Sequence, residues 1–208
     1  MTLRSEEEVA SETFEATDPI ALFKSWLNEA TETEPNDANA MSVASVDKSG
    51  LPNVRVLLLK DVDVDGFVFY TNLNSAKSEE LLSSKKAALC FHWKGIRRQV
   101  RVRGPIEQVP NDEADAYFAT RPRGSQLGAW ASNQSHPMKS RESLIEDVMK
   151  LEEKHKDQDV PRPEHWSGLR LAPTSVEFWI NREYRLHDRR MFTRKTMGDP
   201  WLTERLYP

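Results

Sequence analysis

The chain has 208 residues and a formal net charge of −4, from 29 Lys and Arg against 33 Asp and Glu. This balance lacks the global basic excess of a nonspecific nucleic-acid binder, so no nucleic-acid partner is expected and any anion site must be local. The length suits one domain with a substantial core. No apolar run approaches about 18 residues, and residues 6–8 are glutamates where a signal peptide needs basic and then apolar residues, so no membrane span is expected.

Residues 1–17 are acidic and poor in apolar side chains, which predicts a flexible N-terminal arm before a single domain at 18–208. Asp18 and Pro19 predict the N-cap and first residue of a helix over about 19–31. From Ala40 the apolar residues alternate, and the turn at 47–50 predicts a hairpin to a second strand at 54–59.

The rest of the chain predicts further strands joined by short linkers, with helices between them. Strands are expected at 67–70, 87–93, 99–109, 174–180, 184–194 and 201–205, and helices at 75–84 and over most of 111–156. The linkers favour an antiparallel meander that closes into a barrel, so the predicted fold class is α+β, mainly β, with peripheral helices. The single cysteine, Cys90, lies in an apolar run, which favours a packed side chain and a reducing cytoplasm.

The sequence predicts no metal site. Residues 61–66 imitate the start of a calcium loop, but Asn72 stands where that loop requires a bidentate Glu. The histidines include no pair at i, i+4 and no nearby cysteine cluster. Glycine-rich phosphate loops are also missing, so a phosphate would have to be bound by side chains.

Arg185, His187 and Arg189 occupy alternate positions of the predicted strand at 184–194. Alternate side chains of a strand share one face, so these three would point together. Arg carries a permanent charge and His titrates near neutrality, which makes such a face suitable for an anion. The spacing fits a pocket wall and, equally, a solvated edge strand with a charged outer face.

A second candidate anion-binding site lies near Tyr117, Arg121 and Ser125. Tyr117 and Arg121 stand four residues apart on one predicted helix face, Pro122 ends the helix, and Ser125 folds back. A phenol, a guanidinium and a hydroxyl together suit a phosphate. The alternative is that Tyr117 is a core residue and Arg121 a solvated helix terminus.

Two basic strands complete the candidates. Arg55 and Lys60 bracket an apolar strand, so Arg55 needs an anionic partner, either a ligand or a plain salt bridge to Asp or Glu. The alternation at 97–103 sends Gln99 to the same face as several arginines. No aromatic is interleaved there for stacking on RNA, so a partly solvated strand with Gln99 at a ligand is preferred.

Taken together, these segments resemble the pyridoxamine/pyridoxine 5′-phosphate oxidase family. The resemblance covers about residues 18–208, in order and with matching spacing. Its motifs include 55–60, 69–72, 75–77, 98–100, 117–122, 125–130, 134–135, 177–179, 185–189 and the terminal 205–208.

The resemblance implies a split β-barrel that binds FMN as a homodimer, with each flavin site assembled from both subunits. It also implies oxidation of pyridoxamine or pyridoxine 5′-phosphate to pyridoxal 5′-phosphate, with dioxygen reduced to hydrogen peroxide. The alternatives are a flavin-binding split-barrel reductase acting on another substrate and a binding module without turnover.

The resemblance further implies residue roles. Arg185 and His187 would be catalytic, over the substrate ring beside the flavin. The expected FMN contacts are Arg55, Val56, Leu57, Leu58, Leu59, Lys60, Tyr70, Thr71, Lys77, Gln99, Gln134, Ser135, Trp179 and Arg189. The expected substrate contacts are Lys60, Tyr117, Arg121, Ser125, Arg185, Leu186 and His187. Ala76 departs from the family, which often has Arg or Gln there.

Overall fold

The computed structural model describes residues 4–208, so the first three residues of the predicted N-terminal arm lie outside it. Its helices are α1 Glu6–Glu15, α2 Pro19–Thr33, α3 Ala76–Ser84, α4 Asn111–Ala119, α5 Arg123–Ala131 and α6 Arg141–Lys154. Its strands are β1 Ala40–Val46, β2 Pro52–Leu58, β3 Asp61–Asp63, β4 Gly66–Asn72, β5 Lys86–Trp93, β6 Arg98–Gln108, β7 Trp166–Leu171, β8 Ser175–Ile180, β9 Asp188–Thr193 and β10 Leu202–Leu206. Within residues 4–208, none of the helices has the length and apolar character needed to cross a lipid bilayer.

The strands form one antiparallel sheet that curls into a half-barrel. Its main path runs β10-β9-β8-β6-β5-β1-β2, and β4 and β7 form the other side with β3. Strand β6 belongs to both sides, because residues 98–103 pair with β8 and residues 106–108 pair with β7. Gly104 lies between these two stretches, where a Cβ would come within 1.9 Å of the Ala172 carbonyl oxygen. The close approach of two backbones therefore requires glycine at this corner.

Helix α2 closes the inside of the half-barrel. Asp18 caps it by accepting a hydrogen bond from the Ile20 N–H at 2.8 Å, and Pro19 is its first residue, as the sequence predicts. Phe23 packs edge-on against Phe67 and Phe91 at 4.9 and 4.8 Å between ring centroids. This fully buried contact joins both sides of the sheet to α2 and fixes the scaffold on which the site is built.

The N-terminal segment differs from the prediction of a flexible arm. Residues 6–15 form helix α1, whose N-cap Ser5 and Glu8 make a reciprocal capping box. Val9 is only 2% exposed and belongs to the main core cluster. Composition alone misses this helix because two inward side chains, Val9 and Thr13, and an ion pair from Arg4 to Glu12 hold it in place.

Two further elements were not predicted. Strand β7 is absent from the sequence-based prediction because it is buried on both faces and shows no alternation. Residues 61–63, which imitate the start of a calcium loop in the sequence, form the short strand β3 paired with β4. Strand β7 matters for the site, because Trp166 at its start packs with Phe118 and Leu127 in a second core cluster that anchors α4 and α5.

Candidate active site

A cleft lies between strands β2 and β4 and helices α4 and α5. It consists of two adjoining cavities of about 400 Å³ each, which share Leu57, Tyr70, Arg121 and Ser125. We call it the Tyr70 cleft. The predicted site residues that line it are Leu57, Leu58, Lys60, Tyr70, Thr71, Lys77, Tyr117, Arg121, Ser125 and Gln134. The structure thus brings the predicted substrate-phosphate residues together in one chain.

Stacked rings form the wall of the Tyr70 cleft. Tyr70 and Tyr117 stack at 3.9 Å with planes 10° apart, and Trp166 lies parallel to Tyr70 at 5.2 Å. Burial raises the pKa of the Tyr70 phenol to about 12, with smaller effects of Glu113 and neighbouring groups. The Tyr70 phenol therefore stays protonated and able to donate a hydrogen bond near neutral pH.

Arg121 lies at the edge of this stack. Helix α4 ends at Ala119, so Arg121 lies just beyond its C-terminus and not on the helix face that the sequence predicts. Its guanidinium lies over the Trp166 ring at 4.7 Å, and burial lowers its pKa. Among residues 4–208, its Nη1 atom is buried without a hydrogen-bond partner. Arg121 is therefore not a solvated terminus, and a donor in the cleft wall lacks an acceptor.

Lys77 also lines the cleft, from the first turn of α3. Its ammonium group donates to the Ser75 hydroxyl at 3.0 Å and to the Gln134 side-chain oxygen. Burial lowers the pKa of Lys77 to about 8, and the positive charge of Arg55 adds to the effect. A half-buried ammonium whose charge is disfavoured by burial is suited to an anionic ligand such as a phosphate.

Arg55 has a carboxylate partner within the chain. Its Nη2 atom lies 2.9 Å from Glu80, and its Nη1 atom donates to the Ser45 hydroxyl at 2.6 Å. Hydrogen bonding from Ser45 is the largest effect that lowers the pKa of Glu80. The sequence allowed either a ligand or a carboxylate as the partner of Arg55, and the structure contains the salt bridge to Glu80. The contact of Arg55 with the flavin stays a prediction.

Three of the other predicted flavin residues form a row across the sheet. Gln99 of β6 faces Trp179 of β8, which faces Arg189 of β9. Arg189 donates to the Glu177 carboxylate through Nε at 3.0 Å. Glu177 is only 4% exposed and also pairs with Arg101 at 3.2 Å. Glu177 therefore fixes the direction of Arg189 on this face.

The predicted strand through Arg185 and His187 is wrong. Residues 183–185 form a 3-10 turn in which Tyr184 and Arg185 have φ of 55° and 63°, and β9 begins only at Asp188. Strand alternation therefore does not place these side chains. The His187 ring instead lies 4.5 Å from Trp179, and its Nδ1 accepts a hydrogen bond from the Arg182 N–H at 3.1 Å. A turn brings His187 to the row that contains Arg189.

Within one chain, the Tyr70 cleft and this row are separate, because Gln99, Trp179, Arg185, His187 and Arg189 do not line the cleft. Other predicted contacts also lie outside it. Val56 is 66% exposed, Leu186 and Ser135 are exposed, and Leu59 is in the core. The Leu59 N–H and carbonyl are both bonded to Asn39.

Sequence reasoning missed several residues of the cleft wall. Asn72 donates to the Ser132 carbonyl at 3.1 Å and thereby ties the end of β4 to the end of α5. Trp166 lines the cleft beneath Arg121. The sequence signal for Trp166 was weak, because the six residues at 166–171 include only three large apolar side chains, Trp166, Leu169 and Leu171.

The arrangement fits a phosphorylated aromatic ligand. The Tyr70 cleft supplies stacked rings, a guanidinium whose Nη1 has no acceptor among residues 4–208, a half-buried lysine and a serine hydroxyl. Charge-assisted donors of this kind are suited to phosphate oxygens, and the rings to an aromatic plane.

Comparisons with known proteins agree with this chemistry. Residues 27–155 match the family model described as pyridoxamine 5′-phosphate oxidase, and residues 166–208 match the pyridoxine 5′-phosphate oxidase C-terminal dimerisation region. The pyridoxine/pyridoxamine 5′-phosphate oxidase of Brucella canis is 56% identical over 194 residues, which are 93% of this chain and 96% of the relative. The Brucella abortus (strain 2308) protein of the same name is also 56% identical, over 93% of each chain.

Solved structures show the same fold. PhzG from Burkholderia lata 383, in complex with tetrahydrophenazine-1-carboxylic acid, superposes with a TM-score of 0.89 at 27% identity and covers 100% of this chain and 99% of its own. A pyridoxamine 5′-phosphate oxidase-related, FMN-binding protein from Nostoc punctiforme has a TM-score of 0.76 at 17% identity, covering 93% of this chain and all of its own. The predicted fold class is confirmed. With both family models matched along its length, the chain belongs to the pyridoxamine 5′-phosphate oxidase family.

Proposed function

We propose that this protein is an FMN-dependent oxidase that converts pyridoxamine 5′-phosphate and pyridoxine 5′-phosphate to pyridoxal 5′-phosphate, with dioxygen reduced to hydrogen peroxide. The observation that carries the proposal is the convergence of Lys60, Tyr117, Arg121 and Ser125 on one cleft. A protein that binds only a flavin has no need for this second set of phosphate donors.

The substrate phosphate is held by these four side chains. Arg121 donates through Nη1, which is buried and has no acceptor within the described part of the chain, and Lys60 adds a second positive charge. Tyr117 and Ser125 donate from their hydroxyls. A substrate without phosphate leaves Arg121 buried and unpaired, so the cleft discriminates strongly against it.

FMN is the cofactor. The residues that would hold its phosphate are Lys77 and Arg55, while Gln134, which accepts from Lys77, lies beside them. The sheet row of Gln99, Trp179 and Arg189 supplies the other predicted contacts. When bound, the flavin supplies a two-electron acceptor that is reoxidised by dioxygen.

Arg185 and His187 act on the substrate ring. Arg185 fixes the substrate and stabilises the charge that develops as C4′ is oxidised. In this oxidation a hydride passes from C4′ to the flavin, and the proton of the 4′ amine or hydroxyl passes to water. Because Nδ1 of His187 accepts the Arg182 N–H, the neutral ring carries its proton on Nε2. His187 therefore orients the substrate as a donor at Nε2.

The chain forms a dimer, since residues 166–208 match a dimerisation region. Each flavin site is assembled from both subunits. The row of Gln99, Trp179 and Arg189 and the turn with Arg185 and His187 in one chain face the Tyr70 cleft of the other chain. The separation of these two groups within one chain supports this assembly. A cytoplasmic location completes the proposal and agrees with the single cysteine, Cys90.

Peroxide release from the FMN-loaded protein tests the function. We expect hydrogen peroxide and pyridoxal 5′-phosphate in equal amounts after adding pyridoxamine 5′-phosphate in air, and little product from unphosphorylated pyridoxamine. Flavin binding without peroxide would contradict the oxidase and favour a binding module. Turnover restricted to other electron donors would favour a reductase with a different substrate.

A further inference from the structure

The turn that carries Arg185 and His187 has a costly backbone. Tyr184 and Arg185 are consecutive non-glycine residues in the left-handed region, with φ of 55° and 63°. Such residues persist only where surrounding contacts hold them. Inside the turn, the Leu186 N–H bonds to the Glu183 carbonyl at 3.0 Å. Further contacts must therefore come from outside residues 183–187.

Arg182 holds both ends of this turn. Its backbone N–H donates to Nδ1 of His187 at 3.1 Å, and its Nε atom donates to the Asp188 carboxylate at 2.8 Å. Asp188 is the first residue of β9, so one arginine joins the entry of the turn to its exit. The Arg182 side chain is only 18% exposed, which makes a single geometry more favourable than on an open surface.

The same guanidinium is bound by helix α1. Its Nη1 atom lies 2.5 Å from the Glu6 carboxylate, and its Nη2 atom donates to the Glu6 backbone carbonyl at 3.0 Å. Helix α1 is fixed in turn by buried Val9 and by the Arg190 guanidinium, which donates to the Ala16 carbonyl. Helix α1, which is anchored in the core, is therefore connected to the turn at residues 183–187 through the side chain of Arg182.

We propose that Arg182 is a positioning residue that holds Arg185 and His187 in their working geometry, and that α1 acts on the reaction through Arg182. This inference rests on the proposed roles of Arg185 and His187. It gives the N-terminal helix a part in turnover without any contact to substrate. We call the contacts of Arg182 with Glu6 and Asp188 the Arg182 clamp. Small displacements of reacting groups are costly, so loss of this clamp lowers kcat more than it lowers the affinity for FMN.

The test uses full-length holoenzyme with substitutions on both sides of the clamp. Arg182→Gln removes the charge, and Arg182→Lys restores it without the planar fork. Glu6→Gln removes the carboxylate partner in α1. Glu7→Gln is the matched control, because Glu7 lies in the same first turn of α1 and has no ion pair among residues 4–208.

We expect Arg182→Gln to lower kcat by about 10-fold to 100-fold, since displacements of about 1 Å cost this much, while FMN affinity stays within twofold of wild type. Glu6→Gln should lower kcat by about twofold to fivefold, because Glu6 is 64% exposed and surface ion pairs are weak. Arg182→Lys should recover part of the loss, and Glu7→Gln should match wild type. The kcat of the double variant Glu6→Gln with Arg182→Gln should equal that of Arg182→Gln alone, because both substitutions break the same clamp.

Amide hydrogen exchange of residues 182–188 supplies a readout that does not depend on activity. Exchange should quicken in Glu6→Gln and in Arg182→Gln, and stay at the wild-type rate in Glu7→Gln. Unchanged exchange in both clamp variants would overturn the inference, whether or not the protein proves to be an oxidase. Faster exchange with wild-type kcat would also overturn it while leaving the proposed function intact.

Discussion

The Tyr70 cleft and the turn at residues 182–188 achieve the same kind of precision by different means. In the cleft, stacked rings and a buried cluster hold Tyr117 and Arg121 against strand β7. In the turn, two residues adopt left-handed φ values and are held by hydrogen bonds and ion pairs from Arg182. The cleft is therefore a product of packing, whereas the turn depends on a few polar contacts.

Because of this difference, we expect substitutions in the cleft and in the turn to affect different kinetic constants. Packing tolerates the loss of one polar group and keeps its shape, so cleft variants should lose affinity for the phosphate they bind. The turn carries the residues proposed to act on the reacting carbon, so turn variants should lose turnover. Four predictions test this division, from the largest expected effect to the smallest.

Arg185→Leu removes the guanidinium of the turn. We expect turnover to fall by about 100-fold or more, the scale seen when a preorganised charge at a transition state is removed, with FMN still bound. Stopped-flow reduction of the flavin by pyridoxamine 5′-phosphate measures this step directly. Near-normal turnover would reject the catalytic role of Arg185 and remove the distinction between the two regions.

Arg121→Gln removes the cleft donor that has no acceptor among residues 4–208. A hydrogen bond to a charged group contributes about 1.5–3 kcal/mol, so KM for the phosphorylated substrate should rise by roughly 10-fold to 100-fold with a much smaller change in kcat. Arg123→Gln is the control, since Arg123 pairs with Glu152 outside the cleft. A fall in kcat at constant KM would place Arg121 with the turn instead.

How much of this could be predicted depended on the kind of interaction. The α2 helix and the hairpin of β1 and β2 were predictable, because capping at Asp18 and local alternation determine them. Strand β7 and the left-handed turn at Tyr184 were not. The first is buried on both faces and the second violates local preference, so only tertiary contacts specify them.

The site shows the same division. Tyr117, Arg121 and Ser125 were predicted to meet, and they do, although Arg121 lies past the helix end. The Arg55 partner, Glu80, could not be chosen from the sequence, because many carboxylates satisfy the same electrostatic requirement. Charge patterns identify which residues need partners, and the fold decides which partners they receive.

We expect Lys77 to make flavin binding sensitive to pH. Its pKa of about 8 in the ligand-free protein means that its positive charge is present below pH 8 and is lost as the pH rises. We therefore expect FMN affinity to be greatest below that pKa and to weaken above it, by up to about tenfold per pH unit. Fluorescence titration of FMN measures this, and Lys77→Arg should give a flat profile. A flat wild-type profile would contradict the phosphate role of Lys77.

Gly168→Ala tests the packing of the cleft wall. An added Cβ would lie 2.8 Å from the Tyr70 ring and 2.7 Å from Val109, so the ring must shift. We expect a loss of FMN or substrate affinity of about threefold to tenfold and some loss of stability, as for other overpacked sites. The control is Gly124→Ala, where a Cβ meets nothing within 4 Å. Wild-type affinity in Gly168→Ala would show that the position of Tyr70 is not critical.

The central claim is that one assembled site receives FMN and a phosphorylated pyridoxine-type substrate. The most direct test is the anaerobic absorption spectrum of the FMN-loaded protein during titration with pyridoxamine 5′-phosphate. The account predicts that the flavin band bleaches in proportion to the substrate added, with one pyridoxal 5′-phosphate formed per flavin, and that it returns on admission of air. A flavin band that stays unbleached at saturating pyridoxamine 5′-phosphate would contradict the account.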